Sequence, residues 1–116
     1  MNYFVPKSAE DLEAMQGNRV SEDAHLELKS SKILTKNNSA LFSDLSKEIV
    51  AFANASGGVI IIGAEDDNRR FAGLEPIDDN TKDEEWFESG LLSKINPRAK
   101  FMIYRIDFDP GFVIVI

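Results

Sequence analysis

The order of hydrophobic and polar residues predicts a strand, a helix and a second strand in the first half of the chain. Residues 23–29 alternate between apolar and polar side chains, which is the period of a half-buried strand. Residues 40–54 place an apolar side chain at every third or fourth position and therefore predict an amphipathic helix. Residues 59–62 are all apolar and β-branched. Such a run is typical of a central strand that is covered on both faces.

The second half of the chain continues the pattern. Residues 66–68 have the composition of a turn, and residues 70–74 predict the strand that returns from it. Residues 81–93 predict a second helix. Residues 101–108 and 112–116 predict a final pair of strands. The resulting order, β-α-β-β-α-β-β, describes an α+β domain with a mixed sheet and two main helices.

The chain divides into an arm and one domain. Residues 1–20 predict an N-terminal arm with a short helix, which Ser8 caps and Gly17 ends. Residues 21–116 predict a single domain, since a chain of 116 residues with 43% hydrophobic content is typical of one globular core. The chain stops inside its predicted last strand. We therefore expect the domain to be truncated at this end, with further domains following in a longer protein.

Composition excludes several classes of site. The chain has no cysteine, so disulfides, thiolate metal sites and cysteine nucleophiles are excluded. Its longest apolar runs, residues 59–62 and 112–116, are far shorter than the ~20 residues that a membrane helix needs. We therefore expect a cytoplasmic protein with no membrane partner.

The net charge of −7 comes from one segment. The chain carries 13 basic and 20 acidic residues, and residues 65–90 contain ten of the acids with only three bases. The rest of the chain is neutral overall, and residues 28–43 contain no acid at all. We expect the acidic segment to lie away from this acid-free run. The net charge then does not exclude a partner with phosphate groups.

Basic residues form the first candidate site. We call residues 30–39 the lysine loop; it follows Lys29 and carries Lys32 and Lys36. Lysines on a polar loop suit contact with phosphates as point charges, and a merely solvated loop is an equal alternative. Arg69 and Arg70, next to the predicted turn, extend the basic set.

Acidic residues form the second candidate site. Glu22, Glu27 and the acidic cluster of residues 65–67, at the end of the predicted central strand, could supply the hard oxygen ligands that magnesium or manganese prefers, and such an ion activates water against a phosphodiester. Residues five apart on a regular strand face opposite ways. Glu22 therefore reaches the side of Glu27 only if the chain bends near residues 23–24. The alternative is a polar strand face and a solvated turn.

These motifs together resemble one known family. The segment Glu22-xxxx-Glu27-Leu28-Lys29 resembles the ExxxxEFK opening of the Schlafen AlbA-like domain. The helix of residues 45–54 is similar to the family's AFAN helix, and residues 57–66 to its GGxhhIGVDD strand. Residues 71–74 resemble its hxGL element, and residues 95–97 its I-x-P element. The resemblance spans residues 21–116, in matching order.

The resemblance implies a small α+β domain that binds nucleic acid. In bacteria such domains stand at the front of longer proteins described as transcriptional regulators. In animal relatives two such lobes form a groove for RNA, and some cleave transfer RNA with three carboxylates and a divalent metal. That trio corresponds to Glu22, Glu27 and Glu65, with glutamate at 65 where the family usually has aspartate.

Three hypotheses follow. The first is a DNA- or RNA-binding module of a regulator, with phosphate contacts from five cations: Lys29, Lys32, Lys36, Arg69 and Arg70. The second is a metal-dependent endoribonuclease that uses the carboxylate trio. The third is a protein-interaction or oligomerisation domain, which includes a homo-oligomer, with its acidic helix against a basic partner.

Overall fold

The apolar run of residues 59–62 forms the central strand of a mixed sheet, as predicted. The structure, a computed structural model, describes residues 4–23, 25–35, 37–55, 57–94, 101–108 and 111–116. Its helices are α1 (Ala9–Gly17), α2 (Asn38–Asn54) and α3 (Glu84–Leu92). Its strands are β1 (Leu26–Lys29), β2 (Val59–Ile62), β3 (Ala64–Asp67), β4 (Arg70–Leu74), β5 (Tyr104–Phe108) and β6 (Gly111–Val115).

The four-stranded sheet has the order β1-β2-β6-β5. Strand β1 runs parallel to β2, and β6 runs antiparallel to both β2 and β5. Strands β3 and β4 form a separate two-stranded hairpin. The α+β class with a mixed sheet is therefore confirmed.

Strand β2 is buried on both faces, which explains its uninterrupted apolar sequence. Ile60 and Ile62 pack in a cluster with α2 and α3. Val59 and Ile61 face the other way, into a cluster that includes α1 and β4. This strand therefore contributes side chains to both clusters of the core. Each fully buried aliphatic side chain contributes about 1.5–3 kcal/mol to the stability of the fold.

Helix α2 begins two residues earlier than the pattern predicted. The side chain of Asn37 caps it by accepting hydrogen bonds from the backbone N–H groups of Ser39 and Ala40. Asn37 immediately precedes the helix, which is the position at which such a cap acts. The helix ends at Asn54, as predicted, shortly before the glycine pair of residues 57 and 58. Gly57 has a φ of 100° and donates its N–H to the carbonyl of Phe52.

The segment expected as an N-terminal arm packs its helix into the core. Ser8 caps α1 as predicted, accepting a hydrogen bond from the N–H of Asp11. Leu12 and Met15 are buried in the cluster beneath the sheet. The helix ends at Gly17, but the left-handed residue that terminates it is Arg19, with a φ of 50°.

The hairpin turn lies one to two residues later than predicted. Asp66 and Asp67 belong to β3, and the two turn residues are Asn68 and Arg69, both with positive φ. Gly63, at a φ of 115°, separates β3 from the preceding strand. The change of direction at Gly63 allows residues 64–67 to form a new strand, where the sequence predicted a turn. The strand was not predicted because it is exposed and rich in aspartate, and so has no alternation of apolar and polar residues.

The remaining boundaries differ slightly. Helix α3 is shorter than residues 81–93 because Asp83 caps it at the later position. The lysine loop contains a short 3₁₀ helix, Ser31–Thr35. Residues 95–97, which carry the I-x-P element, lie outside the described residues, as do residues 109 and 110 between the last two strands. Among the described residues, no helix is both long and apolar enough to cross a membrane.

Candidate nucleic-acid interface

The bend that the carboxylate hypothesis required is present at the start of β1. The backbone groups of Asp23 and Leu26 bond to each other, so the chain turns back immediately before the strand. Glu22 then reaches across, and its Oε2 accepts the N–H of Leu28 at 3.1 Å. This contact satisfies one donor on the outer edge of the sheet. It also places the Glu22 side chain beside that of Glu27.

Glu22 sits in an environment that disfavours its charge. Its side chain is only 9% exposed. Burial raises the pKa of Glu22, the hydrogen bond from Leu28 lowers it, and the nearby charges of Glu27 and Asp66 raise it further, with a net increase. Glu22 and Glu27 thus lie together at the beginning of β1, and Asp66 lies close enough for its charge to act on Glu22.

The third predicted carboxylate lies elsewhere. The β3 acid whose charge reaches Glu22 is Asp66, whereas Glu65 stands opposite Gly73 and is exposed. The register of the hairpin shifts between Glu65 and Asp66. Among the described residues, no three acidic or imidazole side chains are spaced to hold one metal ion. The arrangement does not fit the magnesium or manganese site that the family implies, and no metal-dependent step is derived from it.

Lys29 is engaged by two carboxylates. Its Nζ lies 2.7 Å from Glu48 Oε1 on α2 and 3.4 Å from Glu27 Oε1 on its own strand. Burial alone would lower the pKa of Lys29, but the hydrogen bond and charge of Glu48, with the charge of Glu27, raise it overall. The side chain is 25% exposed. Lys29 therefore neutralises acids of the same chain rather than facing solvent.

The lysine loop is in contact with the acidic segment, contrary to the expected separation. Ser30 donates its hydroxyl hydrogen to the carboxylate of Glu75. Lys82 donates to the carbonyl of Leu34 at 3.1 Å, and its Nζ lies 5.4 Å from the centre of the Trp86 ring. Lys32 is exposed on the short 3₁₀ helix, and Lys36 lies outside the described residues. The loop is thus held at Ser30 and at Leu34 by the segment that carries the excess negative charge.

Arg69 and Arg70 occupy an exposed and well-anchored position at the hairpin turn. The Arg69 side chain is 72% exposed, and its Nε lies 4.0 Å from Glu22 Oε1. Its backbone N–H bonds to Asp66 Oδ2 at 3.3 Å, and its carbonyl accepts the N–H of Glu22 at 2.6 Å. Arg70 is exposed and bridges to Ser21. These bonds fix the backbone while leaving the guanidinium groups accessible.

Sequence reasoning did not identify Arg19, a third arginine, which lies beside the hairpin. Its side chain is 59% exposed, and its Nη2 lies 3.8 Å from Asp67 Oδ2 on the hairpin. Arg19 is distant from the hairpin in sequence. A helix usually ends with a glycine in the left-handed conformation, and the sequence has Gly17 close to that position. Gly17 therefore looked like the residue that ends the helix, and Arg19 was not considered.

Comparison with known proteins agrees with the motifs. A search of curated proteins returned no match. The family model described as Schlafen, AlbA_2 matches residues 22–116. This range begins at Glu22 and includes the four-stranded sheet, the hairpin, α2 and α3. This family is broadly associated with nucleic acid. With the match extending over most of its length, the chain belongs to the Schlafen AlbA_2 family.

Proposed function

We propose that this domain binds nucleic acid through its phosphate groups, as the recognition module of a transcriptional regulator. The contacts come from Arg69 and Arg70 at the hairpin turn, assisted by Lys32 and Lys36 of the lysine loop. Membership of a nucleic-acid-associated family supports the class of ligand. The observation that carries the proposal is the exposed arginine pair on an anchored turn.

The chemistry of arginine suits this role. Its guanidinium group stays charged at all relevant pH values and presents several donors in a plane, which matches the oxygens of a phosphate. Because the backbone at Arg69 is already held by Asp66 and Glu22, little backbone freedom is lost when a ligand binds. The ion pair of Arg69 with Glu22 is long, at 4.0 Å, and its arginine side chain is 72% exposed. Such pairs are worth only about 0–1 kcal/mol and yield readily to a phosphate.

Lys29 is left out of the proposed contacts. Its ammonium group lies between Glu27 and Glu48, so a phosphate would have to displace two carboxylates to reach it. The proposed surface therefore differs from the one expected from sequence. Its centre lies at the hairpin, and the lysine loop is secondary.

The double variant Arg69→Ala/Arg70→Ala tests the proposal. We expect it to lose most of the affinity for labelled DNA or RNA, because two phosphate contacts disappear while both backbone conformations can remain. Fluorescence anisotropy with single-stranded and double-stranded probes measures the affinity and identifies the preferred nucleic acid.

A control pair has the same change in net charge. Lys7 and Lys47 are exposed residues just before α1 and on α2, outside the hairpin turn and the lysine loop. Lys7→Ala/Lys47→Ala should bind almost as well as the unmodified chain. Equal losses in both double variants would mean that only net charge matters, and unchanged binding in the arginine variant would refute the proposed contacts.

A metal-dependent ribonuclease is the second candidate function: Glu22 and Glu27 lie together, which favours it, whereas Glu65 lies apart and the described residues hold no three-ligand metal site, which counts against it. This hypothesis predicts that the chain cuts structured RNA when magnesium or manganese is added. Glu27→Ala should abolish cutting. It should also keep or improve binding, since Lys29 loses one of its two acidic partners. Cutting that survives this substitution, or survives a chelator, would exclude these carboxylates as the catalytic groups.

The protein-interaction hypothesis has a separate test. A homo-oligomer should elute in size-exclusion chromatography at a volume that depends on protein concentration and not on nucleic acid. A monomer that shifts only when nucleic acid is added supports the binding module instead.

A further inference from the structure

Unusual backbone conformations concentrate at one corner of the molecule. Among the described residues, positive φ outside glycine occurs at Arg19, Asn68 and Arg69, with values of 50°, 52° and 67°. L-residues rarely adopt this left-handed region because Cβ then crowds the backbone; glycine, and to a lesser degree asparagine, is favoured there. Two of the three residues are arginines. Each therefore stands where glycine would be more stable.

Arg19 occupies the glycine position of a helix terminus. The N–H of Val20 bonds to the carbonyl of Met15, and the N–H of Arg19 bonds to that of Gln16. This pair of bonds defines the Schellman motif, in which the left-handed residue is usually glycine. Val20 and Met15 also pack in the same cluster, as the motif requires. The terminus forms correctly around an unfavourable residue.

Arg69 occupies the glycine position of a hairpin turn. Asp67 pairs with Arg70, so Asn68 and Arg69 are the two central residues, and both have positive φ. This is the pattern of a type I′ turn, for which Asn-Gly is the preferred sequence. The chain has the asparagine, but arginine replaces the glycine.

The two positions are neighbours in the fold. The N–H of Phe71 bonds to the carbonyl of Val20 at 2.8 Å, which joins the segment after Arg19 to the strand after Arg69. The guanidinium of Arg19 reaches the hairpin at Asp67. Both arginine side chains are more than half exposed. Neither side chain gains burial that would offset its backbone strain.

We propose that Arg19 and Arg69 form a two-arginine phosphate-binding site, which we call the arginine corner, in which backbone strain is tolerated because the charged side chains bind ligand. This rests on the proposed function and adds Arg19 as a contact residue. Strained residues in folded proteins are concentrated at binding sites. The acids beside the arginines do not block the site: Asp67 lies 3.8 Å from Arg19 and Glu22 lies 4.0 Å from Arg69, and both guanidinium-bearing side chains stay more than half exposed.

Substitution by glycine should have opposite effects on stability and binding. Arg19→Gly and Arg69→Gly should each raise the melting temperature by about 3–6 °C, because glycine relieves the strain. Each should weaken nucleic-acid binding about three- to tenfold and reduce the slope of log K against log salt by roughly 0.7–0.9, the value for one phosphate contact. A purely structural arginine would leave both the affinity and the slope unchanged.

Two kinds of matched variant separate strain from charge. Asn68→Gly relieves strain in the same turn without removing a charge, so it should not weaken binding. Arg19→Gln and Arg69→Gln keep the strain and remove the charge, so they should lose affinity without becoming more stable. Thermal denaturation and fluorescence anisotropy of the 116-residue chain measure both quantities.

The outcomes distinguish this inference from the proposed function. If the unmodified chain binds no nucleic acid, the proposed function fails and the arginine corner fails with it. If the unmodified chain binds and both glycine variants bind equally well, only the arginine corner is refuted. If the glycine variants bind less but are no more stable, the contacts hold and the strain argument is wrong.

Discussion

At the scale of single residues, the carboxylates at the start of β1 and on α2 repel one another, and Lys29 offsets part of that repulsion. Lys29 bridges Glu27 and Glu48, while among the described residues the cation beside Glu22 is Arg69, at 4.0 Å. Glu48 Oε2 is buried with no hydrogen-bond partner among the described residues. The stability of this region should therefore respond to any change in its charge balance.

Glu22 makes stability depend on pH. Its pKa in the folded chain is raised above the ordinary value of 4.5, first by burial and then by neighbouring acids. A carboxyl with a raised pKa binds its proton more tightly in the folded state, so stability falls as pH rises through the folded pKa. Glu22→Gln keeps an oxygen for the N–H of Leu28 and carries no charge. We expect this variant to be more stable than the unmodified chain at pH 7.

The difference between the two proteins should shrink as the pH falls below the ordinary value of 4.5, because Glu22 then becomes protonated in both the folded and the unfolded state. Urea denaturation at a series of pH values measures it. A Glu22→Gln variant that is less stable at pH 7 would show that the charged carboxylate stabilises the bend.

Lys29→Met tests the ion-pair network. The substitution keeps most of the apolar stem but leaves Glu27 and Glu48 facing each other without a cation. We expect a loss of about 1–2 kcal/mol in the free energy of unfolding, the range for hydrogen bonds to partly buried charged groups. Lys47→Met, at an exposed position of α2, is the control and should change stability little. Equal effects would mean that solvent already screens the Lys29 pairs.

At the scale of elements, a glycine allows α3 to approach α2 closely. A Cβ built on Gly90 would lie 2.2 Å from the ring of Phe42, which is buried and contacts both Trp86 and Phe87. The aromatic cluster therefore depends on the absence of a side chain at this position. Through Lys82 and Trp86, the same packing supports the lysine loop.

Gly90→Ala should destabilise the domain by about 1–3 kcal/mol, the usual cost of overpacking, in spite of the better helix propensity of alanine. Gly17→Ala is the matched control. Gly17 also lies in a helix, and a Cβ there meets no atom within 4 Å. It should raise stability slightly. Chemical denaturation measures both, and a neutral Gly90→Ala would mean that the Phe42 ring moves aside at little cost.

Elements with one or two buried faces were the ones that the sequence could predict. The uninterrupted apolar composition of β2 and the helical period of apolar residues in α2 both indicate burial. Strand β3 carries three exposed acids and faces no core beyond Ala64, so no apolar alternation marks it as a strand. The position of its turn was wrong for this reason.

The site was only partly predictable for a related reason. The approach of Glu22 to Glu27 could be stated as a condition on a bend, because both lie on one short segment. The capture of Lys29 by Glu48 and the approach of Arg19 to Asp67 depend on tertiary packing between segments distant in sequence. No local spacing encodes such pairs.

At the scale of the whole molecule, negative charge is not confined to one side. The acidic segment begins on the hairpin and extends to α3, and it holds the lysine loop through Glu75 and Lys82. A chain with a net charge of −7 repels nucleic acid at long range. Binding must therefore depend on a few local contacts and should be highly sensitive to salt.

The salt dependence of nucleic-acid binding by the unmodified chain tests the central claim most directly. The affinity is measured by fluorescence anisotropy from low to physiological salt, with the preferred probe. Each phosphate contact contributes roughly 0.7–0.9 to the negative slope of log K against log salt. We predict a slope that corresponds to at least two contacts, those of Arg69 and Arg70. Binding that does not change with salt, or no binding to DNA or RNA at low salt, would contradict the claim.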